Sequence, residues 1–244
     1  GAGTSGRLGV LDASEIPPTF SAPQDLFQPI IAGGDKALRH AVEGAEDDIS
    51  AGSDAASPVT GRDFVLGISA SGKTPFVLSF LSASKHKGAR CWLLTCNETA
   101  GSAQQTAVNS ELQTPNSELR TFTIDGIIKI PAGPEIVAGS TRLKAGTATK
   151  LALNMFSTVV MIKLGGVYKG WMVDVSHSNN KLVSRAEDII MQITGCSRED
   201  ASDCLRISGM RTKAAIVMKS KGVAVSEAQK LLKEAGGSLR KIIG

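Results

Sequence analysis

Residues 64–86 read FVLGISASGKTPFVLSFLSASKH, and this stretch decides the fold. The run 64–68 is apolar and short, the pattern of a strand buried on both faces. Ser69-Ala70-Ser71-Gly72-Lys73-Thr74 follows it without a gap, and Thr74 and Pro75 then stand where a helix places its cap and first residue. A strand, a glycine-bearing turn and a helix make the first half of a βαβ unit, with the turn at the carboxyl end of the strand.

Outward from that unit, residues 28–32, 91–96 and 127–130 form further short apolar runs bounded by polar turns. Helical patterns lie over 5–14 and over 36–42, the latter with a continuation near 46–50. The alternation predicts an α/β fold built on a parallel, helix-covered sheet. A long helix is expected over 142–164. Its surface turns apolar nearly all round after Leu151, which places it inside a domain or at a subunit interface. From Thr194 the pattern changes to three short helices, 198–207, 212–219 and 226–235, with Ser197 and Ser226 as caps and Gly236 as a stop. The expected division is a domain over 1–193 and a small helical appendage over 194–244. Residues 97–120, rich in Asn, Gln, Ser and Thr, far exceed the usual loop of about 4 to 6 residues and read as a mobile insertion.

The 244 residues are 42% hydrophobic, enough for a real core. The net charge of +4 is uneven: residues 1–60 hold 3 Lys/Arg against 9 Asp/Glu, and residues 141–244 hold 17 against 8. Aromatics are only 4% and no basic run is interleaved with them, so nucleic acid is not an expected partner. Cys91, Cys96, Cys196 and Cys204 lack CxxC spacing, and His40, His86 and His177 are scattered. Neither set suggests a disulfide scaffold or a metal site, which points to a reducing compartment and no metal. The most apolar stretch, 151–162, contains Asn154 and is shorter than the roughly 20 residues a bilayer span needs. No signal peptide is recognisable, so a cytoplasmic protein with no membrane partner is expected.

The chain opens with a second Gly/Ser segment, Gly1-Ala2-Gly3-Thr4-Ser5-Gly6-Arg7. Glycines let backbone N–H groups approach an anion, a helix start adds partial positive charge, and hydroxyls add donors. Two such loops at strand ends converge on the place where parallel sheets bind ligands. Neither fits GxxxxGK[ST] or GxGxxG, which disfavours a nucleotide. Glu15 closes the helical pattern just before Pro17 and Pro18, at the negative end of a helix, where the protonated form of a carboxyl group suits a general acid. Glu46 is a candidate base. By pattern alone it belongs to the acidic cluster Glu43, Glu46, Asp47 and Asp48, which reads as a solvated helix start.

The segments GAGTSGRLGVLDASEIPPTF (1–20), IAGGDKALRHAVEGAEDD (31–48), GISASGKTPF (67–76) and GPEIVAGSTRLKAGTATKLALNM (133–155) resemble the N-acetylmuramic acid 6-phosphate etherases. The likeness continues through MVDVSHSNNKL (172–182) and the C-terminal helices, leaving only 97–120 uncovered. The resemblance implies a flavodoxin-like, doubly wound sugar isomerase (SIS) domain with a small C-terminal helical bundle. It also implies cleavage of the D-lactyl ether of N-acetylmuramic acid 6-phosphate by elimination and then hydration, giving N-acetylglucosamine 6-phosphate and D-lactate. Glu15, in ASE, falls on the family's acid and Glu46, in EGAED, on its other catalytic glutamate. Thr4, Ser5 and Gly6 of the first loop and Ser69, Ser71 and Thr74 of the second fall at positions that hold the phosphate sugar. Arg142 and Lys144 stand where they would balance substrate charge, although as long cations they read equally well as surface residues.

The reaction calls for no metal and no cofactor; a sugar phosphate is the expected partner, and a homodimer the expected assembly. The rival reading is a non-enzymatic sugar-phosphate sensor of the glucokinase-regulator kind, which would have no need of Glu15. An aldose-ketose isomerase would share the loops but not the GSTRLKAG, ASE and EGAED motifs in this order. Against the family pattern, a first strand before GAGTSGR is missing from this sequence.

Overall fold

The structure is a computed structural model and describes residues 1–99, 106–108, 121–175 and 179–244. They form two compact units, Gly1–Ala13 with Gln28–Asn154, and Ser14–Phe27 with Met155–Gly244. In chain order the elements begin with α1 (Gly3–Phe20), α2 (Lys36–Arg39), α3 (Ile49–Ala55), β1 (Phe64–Ile68), α4 (Pro75–His86) and β2 (Arg90–Thr95). There follow β3 (Thr106–Val108), β4 (Thr121–Thr123), β5 (Gly126–Lys129), α5 (Lys144–Lys163), β6 (Val167–Tyr168) and β7 (Trp171–Met172). The chain closes with α6 (Asn180–Thr194), α7 (Arg198–Ile207), α8 (Thr212–Lys221), α9 (Val225–Glu234) and α10 (Leu239–Ile243).

In the first unit β1, β2 and β5 form a parallel sheet in the order β1-β2-β5, with Leu66 opposite Trp92 and Leu93 opposite Ile127. The expected strands at 64–68, 91–96 and 127–130 are these three. Successive residues of a strand face opposite ways, and the sheet is buried on both sides. Val65, Cys91 and Leu93 pack with Phe76, Val77, Leu78 and Leu81 of α4, while Ile68, Leu94, Leu66 and Ile128 pack with Leu8 and Leu153. Each large side chain so buried contributes about 1.5–3 kcal/mol of hydrophobic stabilisation. Gly67 sits under α4, where an added Cβ would lie 2.7 Å from a Leu81 methyl carbon, so glycine is what lets the helix come down onto the strand. Cys91 is fully buried, and burial pushes its thiol up to about 11, as an inert core residue requires.

Four local expectations are corrected. Residues 28–32 form no strand. Within this segment Gly1 bonds two residues: its amino nitrogen donates to the Ile30 carbonyl at 2.9 Å and its carbonyl accepts from the Ala32 N–H at 2.9 Å. Helix α1 does not stop before the prolines but continues through Pro17 and Pro18 to Phe20. Proline's fixed φ is helical, so the backbone can continue through it, at the cost of its missing N–H donor and of crowding against the carbonyl four residues back. The pattern at 36–50 breaks into α2 and α3, because His40 is extended (φ −125°, ψ 154°) and Gly44 takes φ +73°. Ser226 lies inside α9, whose cap is Ala224. The expected insertion at 97–120 lies largely outside the described residues; within it, β3 pairs antiparallel with β4. His177 also lies outside them.

In the second unit β6 and β7 form a hairpin whose turn, Lys169-Gly170, has φ of 48° and 81°. The helices α6 to α10 enclose a core of Ala186, Ile189, Ile190, Leu205, Ile216, Val217 and Leu239. Asn179 and Ser197 cap α6 and α7, their side chains accepting from Leu182 N–H and Asp200 N–H at 3.0 and 3.1 Å. Since α6 shares this core with α7 and α8, the expected boundary at 193/194 falls inside a packed cluster.

Helix α5 carries a buried stripe at every fourth residue, Ala145, Thr149, Leu153, Ser157 and Met161. Leu151, Met155, Val159 and Ile162 form an exposed apolar stripe on the same helix. By length and composition its 20 residues could cross a bilayer, with mean hydropathy 1.2, whereas the sequence reading counted only 151–162. A core helix passes the same test, and the buried stripe is what such a helix has.

Candidate active site

The second loop is organised by a single hydroxyl. Ser69 is 2% exposed, and its Oγ accepts from the N–H groups of Gly72 (3.1 Å) and Thr74 (3.5 Å) and bonds the hydroxyls of Thr74 (2.8 Å) and Ser71 (3.4 Å). Gly72 takes φ +74°, which folds the loop back on this centre. The end of β2 supports it from behind: Thr95 Oγ1 donates to the Ala70 carbonyl at 3.1 Å and Asn97 Nδ2 to the Ser71 carbonyl at 3.0 Å. Ser71 is exposed and Thr74 half-buried, so of the three hydroxyls expected here these two remain open to a ligand while Ser69 holds the loop.

The first loop reduces to Gly1-Ala2, because α1 starts at Gly3. Thr4 and Ser5 therefore stand in the first helical turn, whose N–H groups have no acceptor within the helix. Gly6 is buried: an added Cβ would lie 2.6 Å from Ile31 and 2.7 Å from the Gly1 carbonyl oxygen. Its role is close packing of helix against chain.

Glu46 lies on the segment between α2 and α3. A pocket of about 160 Å³ is lined by Ala2, Gly3, Arg7, His40, Glu43 and Glu46, with small residues of 32–45 completing the wall. The Glu46 carbonyl accepts from the Phe76 N–H at 3.0 Å, in the first turn of α4 just past the second loop. Its backbone thus bonds the start of α4, and it lines the same pocket as the start of α1. The acidic cluster divides by function. Asp48 caps α3, accepting from the Ala51 N–H at 2.8 Å, while Glu43 and Glu46 line the pocket.

Glu15 is exposed on α1 and counts with the second unit. With five helical residues after it, it is not at a helix end, so that physical ground for a protonated carboxyl falls away. Arg142 and Lys144 are exposed beside the start of α5. There the Glu135 carboxylate accepts from the N–H groups of Lys144 and Ala145, both at 2.9 Å. Those amide bonds, that from Ala145 first, hold the Glu135 carboxyl below its usual range. Sequence reasoning missed Glu135, which is nine residues from the helix it caps and outside any local capping rule. It also passed over Arg7, although Arg7 lies four residues past Gly3 and so on the same face of α1. Among the described residues no three His, Cys, Asp or Glu side chains gather as a metal site.

A carboxylate beside helix N-termini and open hydroxyls can hold an anionic ligand and move a proton on it. Residues 1–85 match the family described as the glucokinase regulatory protein N-terminal SIS domain. Over its whole length the chain is 47% identical to the N-acetylmuramic acid 6-phosphate etherase of Brucella anthropi and 48% identical to that of Rhizobium rhizogenes, covering 74% of each. It is 45% identical to N-acetylmuramic acid 6-phosphate etherase 1 of Bacillus licheniformis, covering 75% of that protein.

Proposed function

The chain belongs to the N-acetylmuramic acid 6-phosphate etherase family, and on that premise we propose how it cleaves the D-lactyl ether of its substrate. In the open-chain sugar the C1 aldehyde acidifies the C2 proton. Glu46 removes that proton, Glu15 protonates the departing lactate oxygen at C3, and the C3–O bond breaks to leave D-lactate and an unsaturated aldehyde. Water then adds at C3, a proton returns to C2, and the product is N-acetylglucosamine 6-phosphate. Each carboxyl group ends in its starting protonation state, as acid-base catalysis requires.

The observation that carries this reading is the place of Glu46, on a pocket wall shared with Ala2 and Gly3 and bonded through its carbonyl to Phe76. The pocket, about 160 Å³, is smaller than the roughly 300 Å³ at which ligand pockets begin, and so is sized for part of the sugar. Ser71 and Thr74, with the first turn of α1 at Thr4 and Ser5, are assigned to the phosphate sugar, and Arg142 and Lys144 to its charge. The Glu15 role rests on its motif. The family match over residues 1–85 gives the sugar-phosphate sensor some support and makes a SIS-type, doubly wound sheet the natural reading of the first unit. A cytoplasmic homodimer fits the exposed stripe Leu151, Met155, Val159 and Ile162 of α5, which a second copy would cover.

The test is D-lactate release from N-acetylmuramic acid 6-phosphate, with the chain assayed alone and with its natural flanking sequence. Release is expected, with Glu46→Gln and Glu15→Gln each slowed about 10²- to 10⁴-fold. No lactate from the longer form would sink the etherase reading, and sugar-phosphate binding without release would favour the sensor.

A further inference from the structure

We propose that Arg7 is a positioning residue for Glu46, acting through the backbone of the segment that carries it. The inference rests on the etherase reading above.

The Arg7 guanidinium donates from Nε to the carbonyls of Ala37 (2.9 Å) and Leu38 (3.2 Å), and from Nη2 to that of His40 (3.1 Å). All three belong to the closing end of α2, where a helix leaves carbonyls unpaired and carries partial negative charge. A four-residue helix is too short to hold itself. Arg7 is the external cap that fixes where it ends, with charge-assisted bonds roughly twice as strong as neutral ones.

From His40 to Glu46 the chain runs through two turns, closed by Ala45 N–H to Val42 carbonyl (3.3 Å) and Asp47 N–H to Gly44 carbonyl (3.1 Å). The bond from Phe76 N–H to the Glu46 carbonyl then fixes its far end. The segment is thus held from two sides, by α1 through Arg7 and by α4 through Phe76. Arg7, Ala37, His40 and Glu46 also line one pocket. Losing the Arg7 bonds frees one end of the segment and lets the carboxylate drift from its working position. A shift of about 1 Å costs on the order of 10²-fold in rate.

The experiment measures kcat and KM for D-lactate release in wild type, Arg7→Lys and Arg7→Ala, each alone and combined with Glu46→Gln. Expected are a kcat lower by about 10- to 100-fold in Arg7→Ala, a smaller loss in Arg7→Lys, and KM within about twofold of wild type. In the Glu46→Gln background the Arg7 substitutions should cost little more, because the group they position is already gone. A raised KM with unchanged kcat would make Arg7 a direct substrate contact and overturn the proposal. So would equal losses with and without Glu46. If Arg7→Ala fails to fold by circular dichroism, Arg7→Lys carries the same comparison. Absence of lactate release from wild type defeats the etherase reading itself, which is a different failure.

Discussion

Replacing Lys213 by methionine should destabilise the second unit in a pH-dependent way whose sign is fixed by one half-buried carboxylate, Asp174. Lys213 Nζ lies 2.5 Å from Asp174 Oδ2, and the two side chains are 14% and 31% exposed. Burial pushes the Asp174 carboxyl above its ordinary range, and the bond and charge of Lys213 pull it back. Methionine keeps the apolar stem of the lysine and removes only the cation, so the Asp174 carboxyl should rise further. Breaking a fully buried pair costs about 3–5 kcal/mol, and for a side chain that is a third exposed we discount this to about 2 kcal/mol. The sign follows from linkage. A carboxyl raised in the folded state contributes stability while protonated, and loses it as pH climbs from the unfolded value of about 3.9 through the folded one. Relative to wild type, Lys213→Met should therefore show little deficit near pH 4 and the full deficit at pH 7. With a urea slope of about 2 kcal/mol per molar, that deficit moves the unfolding midpoint down by about 1 M. Urea titrations followed by circular dichroism at the two pH values measure it. An equal midpoint shift at pH 4 and pH 7 would refute the reasoning, since the loss would then come from packing and not from an unpaired charge.

Three further outcomes are expected. Asp48→Ala removes the side-chain cap of α3 and should cost about 0.5–2 kcal/mol in urea unfolding while leaving lactate release close to wild type, which separates it from Glu46 in the same acidic cluster. Leu81→Ala empties a fully buried site between α4 and β1 and should cost about 2–5 kcal/mol, read as a lowered midpoint in the same titration. Ser69→Ala leaves the Gly72 and Thr74 N–H groups without their shared acceptor; saturation kinetics should show KM for the sugar phosphate rising more than kcat falls, and an unchanged KM would deny the loop its part in binding.

The three strands were legible because a sheet buried on both faces needs continuous apolar runs, and 64–68, 91–96 and 127–130 are such runs. The run 28–32 forms no ladder, and it differs from the three in carrying Gln28 and Pro29, a residue with no N–H to donate to a neighbour. The prolines misled for a related reason. Pro17 and Pro18 forbid helix hydrogen bonds from their own nitrogens, but they do not forbid helical backbone, and near a helix end that distinction decides whether the helix stops at Ser14 or at Phe20.

At the site, residue type identified the acidic cluster but could not divide it. Glu43, Glu46, Asp47 and Asp48 are equivalent carboxylates by pattern and all four are exposed, while Asp48 is the one whose side chain caps α3. What separates Glu46 is a backbone bond to Phe76, thirty residues on; the wall shared with Ala2 and Gly3 sets Glu43 and Glu46 together apart from Asp47 and Asp48. Both are long-range contacts, so no local rule contains them. The same holds for Arg7, whose partners are carbonyls and therefore carry no residue identity for a sequence motif to read. Side chains that act on distant backbone leave no mark in a local pattern, and the α5 cap Glu135 and the α2 cap Arg7 are of that kind, whereas the near-neighbour cap Ser197 was legible. The residues assigned to substrate come from the motifs, whereas the distant caps Glu135 and Arg7 required the fold.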